Sequence, residues 1–156
     1  MVWAGICASG KTPLVFVDPG VKINKNYYLQ EILQGVLEPW ARAHFGNSDW
    51  IFQQDSAPAH KAREVQGWCQ AHLPGFISAQ EWPPYSPDLN PMDYSVWAIL
   101  EARACAKPHK NLETLRQSAS KLRVDILNLP NFYYTSFIFA LFDCILIHIY
   151  LSVIKF

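Results

Sequence analysis

The chain has 156 residues, and its 51% hydrophobic and 14% aromatic content is typical of one folded domain with a sizeable core. Its 13 basic and 13 acidic residues give a formal net charge of zero, which argues against strong autonomous DNA binding because free-standing DNA-binding domains are usually basic. Its four cysteines are far apart and form no Cys-x-x-Cys pair, so they predict buried free thiols and exclude a disulfide framework or a zinc site.

The first third of the chain predicts a β-hairpin followed by a long helix. Residues 1 to 8 and 12 to 17 are strand-like, and Ser9-Gly10-Lys11 between them is typical of a turn. Residues 25 to 44 carry apolar side chains at helical spacing, and Asn24 precedes them as a suitable cap. We expect the apolar stripe of this helix to pack against the sheet.

A third strand and a second helix follow. The apolar run Trp50-Ile51-Phe52 predicts a buried strand that ends at Asp55. Residues 59 to 73 predict a helix with one apolar face, and Pro74-Gly75 ends it. Phe76-Ile77 then predicts the start of a short strand. This order of elements predicts an α/β fold with a carboxylate at the end of a buried strand.

A second carboxylate, Asp93, is predicted at the start of a helix. Residues 82 to 87 contain too many prolines for a helix or a central strand, so they predict an ordered loop. Asn90 is a suitable N-cap, Pro91 suits the first helical position, and the helix dipole favours Asp93 in the first turn. Two carboxylates, Asp55 at a strand end and Asp93 at a helix start, can hold a divalent metal ion between them.

Three motifs carry a resemblance to a known family. They are Phe52-Gln53-Gln54-Asp55-Ser56-Ala57-Pro58-Ala59-His60, Trp82-Pro83-Pro84-Tyr85-Ser86-Pro87-Asp88-Leu89-Asn90-Pro91 and Met92-Asp93-Tyr94-Ser95-Val96-Trp97. Through them the chain, from Met1 to about Arg123, resembles the catalytic core of the mariner superfamily of cut-and-paste transposases. The resemblance implies a ribonuclease-H-like (integrase/transposase) fold in which three carboxylates bind two magnesium ions.

The resemblance assigns Asp55 to the second carboxylate and Asp93 to the third, where many relatives carry Glu. The first carboxylate lies, in that family, on a central strand upstream of the segment that matches Met1, and nothing in this sequence supplies it. The core is therefore expected to be truncated at the N-terminus. The strands that flank the absent strand are expected to lose their hydrogen-bonding partner, which is costly for buried backbone.

The function that the resemblance implies is that of a DDE/DDD-type transposase endonuclease fragment. Its catalytic and metal-binding residues are Asp55 and Asp93, and its cofactor is Mg²⁺ or Mn²⁺, weakly bound. Its partners are transposon ends, target DNA and, as an open expectation, a second copy of the chain in a homodimer. The expected location is the nucleus. We expect the fragment to be inactive alone, because two-metal phosphodiester cleavage depends on a bridging carboxylate.

Three other residues are alternative candidates for the metal site. Asp18 precedes Pro19-Gly20 and is interpreted as ordinary turn chemistry, and Asp88 is interpreted in the same way. His60 is either a metal ligand or proton carrier, or a structural residue at a helix entrance. We favour the structural role, because two-metal sites chiefly use hard oxygen ligands. We expect the carboxyl groups of Asp55 and Asp93 to converge to within about 8 Å, close enough to share an ion.

The helix that contains Asp93 is predicted to continue to about Lys107, and a last helix to begin after the cap Asn111. Four basic residues in this region could follow a DNA backbone or simply form a solvated face, and both interpretations stay open. They are Lys107, Lys110, Lys121 and Arg123.

The composition changes abruptly after Asp125. This change predicts two parts, a partial catalytic domain at residues 1–125 and an apolar tail at residues 126–156. Residues 132 to 154 predict a mainly helical segment that packs poorly on the domain and is long enough to span a membrane. Asp143 near its centre opposes insertion by about 2.5 to 3.5 kcal/mol. We favour the interpretation that the tail is translated non-coding sequence.

Two other classes of function stay open on the sequence alone. The chain could be a domesticated nucleic-acid-binding or protein-interaction module, which a localised basic face would favour. It could also be a protein anchored in a membrane by the tail, if residues 132 to 154 are genuine.

Overall fold

The structure is a computed structural model that describes residues 1–7, 9–83, 89–90, 96–127 and 147–154, without the side chains of 122–127 and 147–154. The strands are β1 (Val2–Cys7), β2 (Gly10–Lys11), β3 (Val15–Phe16), β4 (Trp50–Gln54) and β5 (Ile147–Ile154). The helical elements are α1 (Lys25–Tyr27), a π-helical segment (Tyr28–Leu37), α2 (Glu38–Phe45), α3 (Arg63–His72), α4 (Trp97–Ala104) and α5 (Leu112–Leu127). The strands form one sheet in the order β2-β1-β5-β4, and β3 also pairs with β1.

The hairpin that the sequence predicts at the N-terminus is confirmed. β1 pairs antiparallel with β2, where Cys7 is opposite Gly10, and with β3, where Trp3 is opposite Val15. The second arm is interrupted at Pro13, because proline has no N–H to donate to the ladder. Next to this break, the hydroxyl group of Thr12 accepts a hydrogen bond from the Gly5 N–H at 2.8 Å, so the ladder continues through a side chain.

Helices cover both faces of β1, whose six residues are all buried. The side chains of a strand alternate between its two faces. Trp3 and Cys7 therefore pack in one core with the helical residues 28–45, α3 and β4. Val2, Ala4 and Ile6 pack on the other face against α4. A helix-covered sheet of this kind keeps its central strands out of water.

The segment from Lys25 to Phe45 is one continuous helix whose middle turns are π-helical. Its predicted cap is confirmed, because the Asn24 side chain accepts hydrogen bonds from the N–H groups of Asn26 at 3.0 Å and Tyr27 at 2.9 Å. The predicted apolar stripe is also confirmed, and its members Ile32, Leu33 and Leu37 are fully buried. At the end of the π-helical turns, the Glu38 N–H bonds to the Leu33 carbonyl five residues earlier.

The last helix is capped as predicted and is attached to the hairpin. The Asn111 side chain accepts a hydrogen bond from the Thr114 N–H at 2.9 Å. In α5, the Arg116 guanidinium bonds to the Asp18 carboxylate at 2.6 Å and lies 5.6 Å from the centre of the Phe16 ring. Asp18 is thus engaged by α5.

The tail is where the structure departs most from the sequence prediction. β5 pairs antiparallel with β1, with Gly5 opposite Leu151, and parallel with β4, with Gln54 also opposite Leu151. The prediction of a helical, poorly packed tail is therefore wrong for residues 147–154, which form a central strand. The expectation of an unpaired gap in the sheet is also wrong, because β1 and β4 both pair with β5.

The reason for this error is that periodicity does not distinguish a fully buried strand from a buried helix. Residues 147–154 are rich in Ile, Val and Tyr, which favour strands. Residues 132 to 146 lie outside the part of the chain that the structure describes. Within that part, no helix is both long and apolar enough to cross a bilayer.

The cysteines follow the prediction only in part. Cys7, Cys69 and Cys105 are free thiols, and the first two are buried as predicted. Cys105 is exposed, so the prediction of burial is wrong there. It directly follows α4, where the last turn of the helix meets solvent. Cys144 lies outside the described residues.

Candidate metal centre at the end of the fourth strand

Asp55 directly follows β4, and a tight turn shapes its surroundings. One of its oxygens, Oδ1, accepts a hydrogen bond from the Ala57 N–H at 2.9 Å. The carbonyl of Ala57 accepts in turn from the N–H groups of His60 at 2.9 Å and Lys61 at 3.2 Å. Helix α3 therefore begins at Arg63 rather than at the predicted residue 59, and the turn folds His60 back onto Asp55.

His60 is paired directly with the carboxylate. Its Nδ1 lies 2.6 Å from Oδ1 of Asp55 and 3.3 Å from the Asp55 carbonyl oxygen. His60 is 1% exposed, and its ring lies against that of Tyr28, with 4.2 Å between the ring centres. The structural role that the sequence favoured for His60 thus includes a direct contact with the proposed metal ligand.

Electrostatics keep Asp55 ionised at neutral pH. Burial alone would raise the pKa of Asp55, but the hydrogen bond and attraction of His60, the Ala57 N–H and the charge of Lys61 together lower that pKa. The pKa of Tyr28 is raised well above its ordinary value by burial, and by the nearby Cys69 and Asp55. Tyr28 is therefore protonated, and its hydroxyl can donate a hydrogen bond.

Two glutamine side chains of β4, Gln53 and Gln54, form hydrogen bonds to other parts of the chain close to this carboxylate. The Tyr28 hydroxyl donates to Oε1 of Gln54 at 2.8 Å. The Gln53 side chain donates to the carbonyl of Leu89 at 3.1 Å. Gln53 is 4% exposed, and Asn90, which follows Leu89, is 2% exposed. The segment that ends just before Pro91 is therefore attached to β4 two residues from Asp55.

The structure describes two of the predicted site residues, Asp55 and His60. Asp55 and His60 are in contact, whereas Asp93 and its competitor Asp88 lie outside the described residues. The convergence of Asp55 and Asp93 to within about 8 Å therefore stays a prediction. Among the described residues, no three His, Cys, Asp or Glu side chains group in a way that could hold a metal ion.

Sequence reasoning missed the roles of Tyr28, Gln53 and Gln54. The signal for the two strand glutamines was present, because two polar residues end an otherwise apolar strand and buried amides need partners. Tyr28 gave no such signal, since its contacts with Gln54 and His60 come from a distant part of the chain.

The residues present fit a hard divalent cation such as Mg²⁺ or Mn²⁺. Asp55 is ionised, and 28% of its side chain is exposed to solvent. Among the described residues, none donates a hydrogen bond to its second oxygen, Oδ2. Carboxylate oxygens are the donors that these cations prefer.

The described centre of the candidate site is thus an ionised aspartate at the end of a strand in a helix-covered sheet. The chain belongs to the DDE superfamily endonucleases, and the match covers residues 2–116. It is 37% identical over 103 residues to the Tcb1 transposase of Caenorhabditis briggsae, covering 66% of this chain and 35% of that protein. It is 31% identical over 103 residues to the Tc1 transposase of Caenorhabditis elegans, covering 66% and 35% respectively.

The fold is similar to that of a solved transposase domain. The catalytic domain of Mos1 mariner transposase superposes with a TM-score of 0.63 at 22% identity, covering 75% of this chain and 57% of that one. A second Mos1 structure, with Raltegravir and Mn, gives the same TM-score and covers 58% of that chain. The predicted ribonuclease-H-like fold and the predicted resemblance to mariner transposases are confirmed. The chain spans about a third of the length of the curated relatives that it matches.

Proposed function

We propose that this chain supplies part of a metal-dependent site that cuts and joins DNA during transposition, with Asp55 and Asp93 as ligands of Mg²⁺ or Mn²⁺. The observation that carries the proposal is the state of Asp55. Its carboxylate is ionised and held at one oxygen, with no donor from the described residues at the other, at the end of a buried strand. A bound divalent ion would polarise the phosphodiester and activate the attacking hydroxyl group.

The proposed role of Asp93 rests on its sequence neighbours. The hydrogen bond from Gln53 to Leu89 holds the chain four residues before Asp93 next to the strand that leads to Asp55. This contact supports an approach of the two carboxylates. It also limits the positions that Asp93 can occupy, because four residues of extended chain span at most about 14 Å.

Asp55 and Asp93 provide two ligand side chains, and we propose that they bind one ion weakly. Two-metal cleavage needs ions about 3.5 to 4 Å apart, and a bridging carboxylate usually holds them. Neither Asp18, which bonds to Arg116, nor the buried His60 offers such a bridge. We therefore propose that this chain does not cut DNA by itself.

The proposed partners are transposon ends and target DNA, and the proposed location is the nucleus, where such DNA lies. Lys107, Lys110 and Lys121 are exposed and could contact phosphates. Relatives that match the chain are named as transposases, which supports DNA as the substrate class.

Binding of Mn²⁺ tests the proposal directly. Electron paramagnetic resonance of free Mn²⁺ measures binding by the wild-type chain, by Asp55→Asn and by Asp93→Asn. Both variants should lose binding, whereas Asp49→Asn, which alters an exposed aspartate, should retain it. Equal binding by all four proteins would contradict the proposed site.

A DNA cleavage assay tests the proposal that the chain does not cut DNA by itself. The purified chain should not cut transposon-end DNA in Mg²⁺ or Mn²⁺. A version preceded by a family-like segment with its own aspartate is the positive control. Robust cutting by the unextended chain, abolished by Asp55→Ala and by Asp93→Ala, would show that no further carboxylate is needed.

A further inference from the structure

His60 is the buried partner of the proposed metal ligand. We propose that His60 positions Asp55 by donating a hydrogen bond from Nδ1 to Oδ1, so that Oδ2 is the oxygen presented to the metal. This inference rests on the proposed function and names a residue that acts through Asp55. His60 is thus a positioning residue rather than a metal ligand.

The donors around Oδ1 support this assignment. The Ala57 N–H and His60 Nδ1 both approach Oδ1, at 2.9 Å and 2.6 Å. An ionised carboxylate only accepts hydrogen bonds, so Nδ1 of His60 must carry the hydrogen. Each carboxylate oxygen offers about two lone-pair sites, so two donors occupy Oδ1. Oδ2, which no described residue contacts with a donor, remains for the metal.

The imidazole is itself held in place on several sides. The His60 carbonyl accepts hydrogen bonds from the side chains of Gln66 at 2.9 Å and Gln54 at 3.5 Å. Gln66 also accepts from the Ala79 N–H at 3.0 Å, which joins α3 to the chain that follows Phe76. Tyr28 lies against the ring and bonds to Gln54.

These contacts fix the position of the His60 ring in the folded chain. The ring is almost completely buried, and both β4 and α3 hold its backbone. A ligand carboxylate that is fixed by such a partner loses less freedom when the metal binds. Removal of a partner of this kind typically costs about 10- to 100-fold in metal affinity.

Two substitutions separate positioning from other roles. His60→Phe keeps a ring against Tyr28 and removes the donor. His60→Asn places an amide N–H close to the position of Nδ1 and keeps the donor. His72→Phe is the matched control, because His72 also bonds through Nδ1, to the Trp68 carbonyl at 2.9 Å, and stacks on the Trp68 ring.

The dissociation constant for Mn²⁺ is measured by electron paramagnetic resonance, and circular dichroism checks that each variant is folded. His60→Phe should weaken Mn²⁺ binding about 10- to 100-fold. His60→Asn should recover most of that loss, and His72→Phe should bind as the wild type does. If His60→Asn loses as much affinity as His60→Phe, the donor is not the essential feature and the positioning role is overturned.

The outcomes also separate this inference from the proposed function. Binding that Asp55→Asn abolishes and His60→Phe leaves unchanged would overturn the role of His60 alone. Wild-type binding that does not depend on Asp55 would overturn both. If His60→Phe does not fold, long-range ¹H–¹⁵N spectra of the wild-type chain and of Asp55→Asn still decide: a hydrogen on Nδ1 whose resonance shifts in Asp55→Asn supports the contact with the carboxylate, and a bare Nδ1 or an unshifted resonance overturns it.

Discussion

The side chain of Gln53 donates a hydrogen bond to the carbonyl of Leu89 at 3.1 Å, which joins β4 to a segment 36 residues further along the chain. The donor end of this contact is sheltered, because Gln53 is almost fully buried, and Asn90 beside the exposed Leu89 is buried as well. The contact connects the strand that leads to Asp55 with the segment that leads to Asp93. It is therefore the described interaction that bears most directly on the proposed pair of ligands.

Replacement of Gln53 tests this connection. Gln53→Met keeps the length of the side chain but removes the donor to the Leu89 carbonyl, which should lower the free energy of unfolding by about 0.5 to 1.5 kcal/mol. Mn²⁺ binding should weaken as well, if Asp93 depends on this contact. Urea unfolding measures the first effect, and Gln80→Met, which alters an exposed glutamine, is the control. A Gln53→Met chain as stable as that control would show that the contact contributes little.

Asp55 should stabilise the fold in a pH-dependent way. Its pKa is lower in the folded chain, so the unfolded chain binds more protons between the two pKa values and stability rises with pH there. The contribution is complete above the ordinary pKa of about 3.9 and is lost as the pH falls through the folded value.

The measurement compares Asp55→Asn with the wild type in chelator, by unfolding across the acid range. The variant should be less stable at neutral pH, and the difference should shrink below about pH 4. Asp49→Asn should stay within about 0.5 kcal/mol of the wild type, as surface substitutions usually do. A difference for Asp55→Asn that does not change with pH would contradict the lowered pKa.

β5 should be essential for the sheet. Truncation after Leu127 keeps α5 but removes the strand between β1 and β4, which leaves buried backbone groups of both strands without partners. The truncated chain should lose its cooperative thermal transition.

A single substitution makes the same test without a deletion. Leu151→Pro removes one N–H from the centre of β5 and should lower the melting temperature strongly, whereas Leu151→Val keeps the N–H and should have a small effect. If the truncated chain unfolds cooperatively at the temperature of the full chain, residues 147–154 are not part of the core.

The cysteines should differ sharply in reactivity. Burial raises the pKa of Cys69 to about 12, so at pH 8 only about 1 in 10,000 of these thiols is ionised, whereas Cys105 is exposed. Iodoacetamide at pH 8 should modify Cys105 within minutes and Cys69 only after unfolding in urea. Peptide mass spectrometry locates the modified residue. Rapid modification of Cys69 in the folded chain would show that α3 opens locally.

Features that depend on near neighbours in the chain could be predicted from the sequence alone. Asn24 and Asn111 cap helices because a short polar side chain reaches N–H groups two or three residues ahead. The apolar stripe from Ile32 to Leu37 was predicted from helical spacing alone. The motifs around Asp55 and Asp93 identified the family, because they are long and specific.

Features that join distant parts of the chain became visible in the folded structure. The Asp55–His60 pair depends on a turn that delays α3, and the Gln53–Leu89 contact depends on how the chain returns to β4. Residues 147–154 show the limit most clearly. Their apolar composition suits a buried helix or a buried strand equally well, and the backbone groups that β1 and β4 present on either side select the strand.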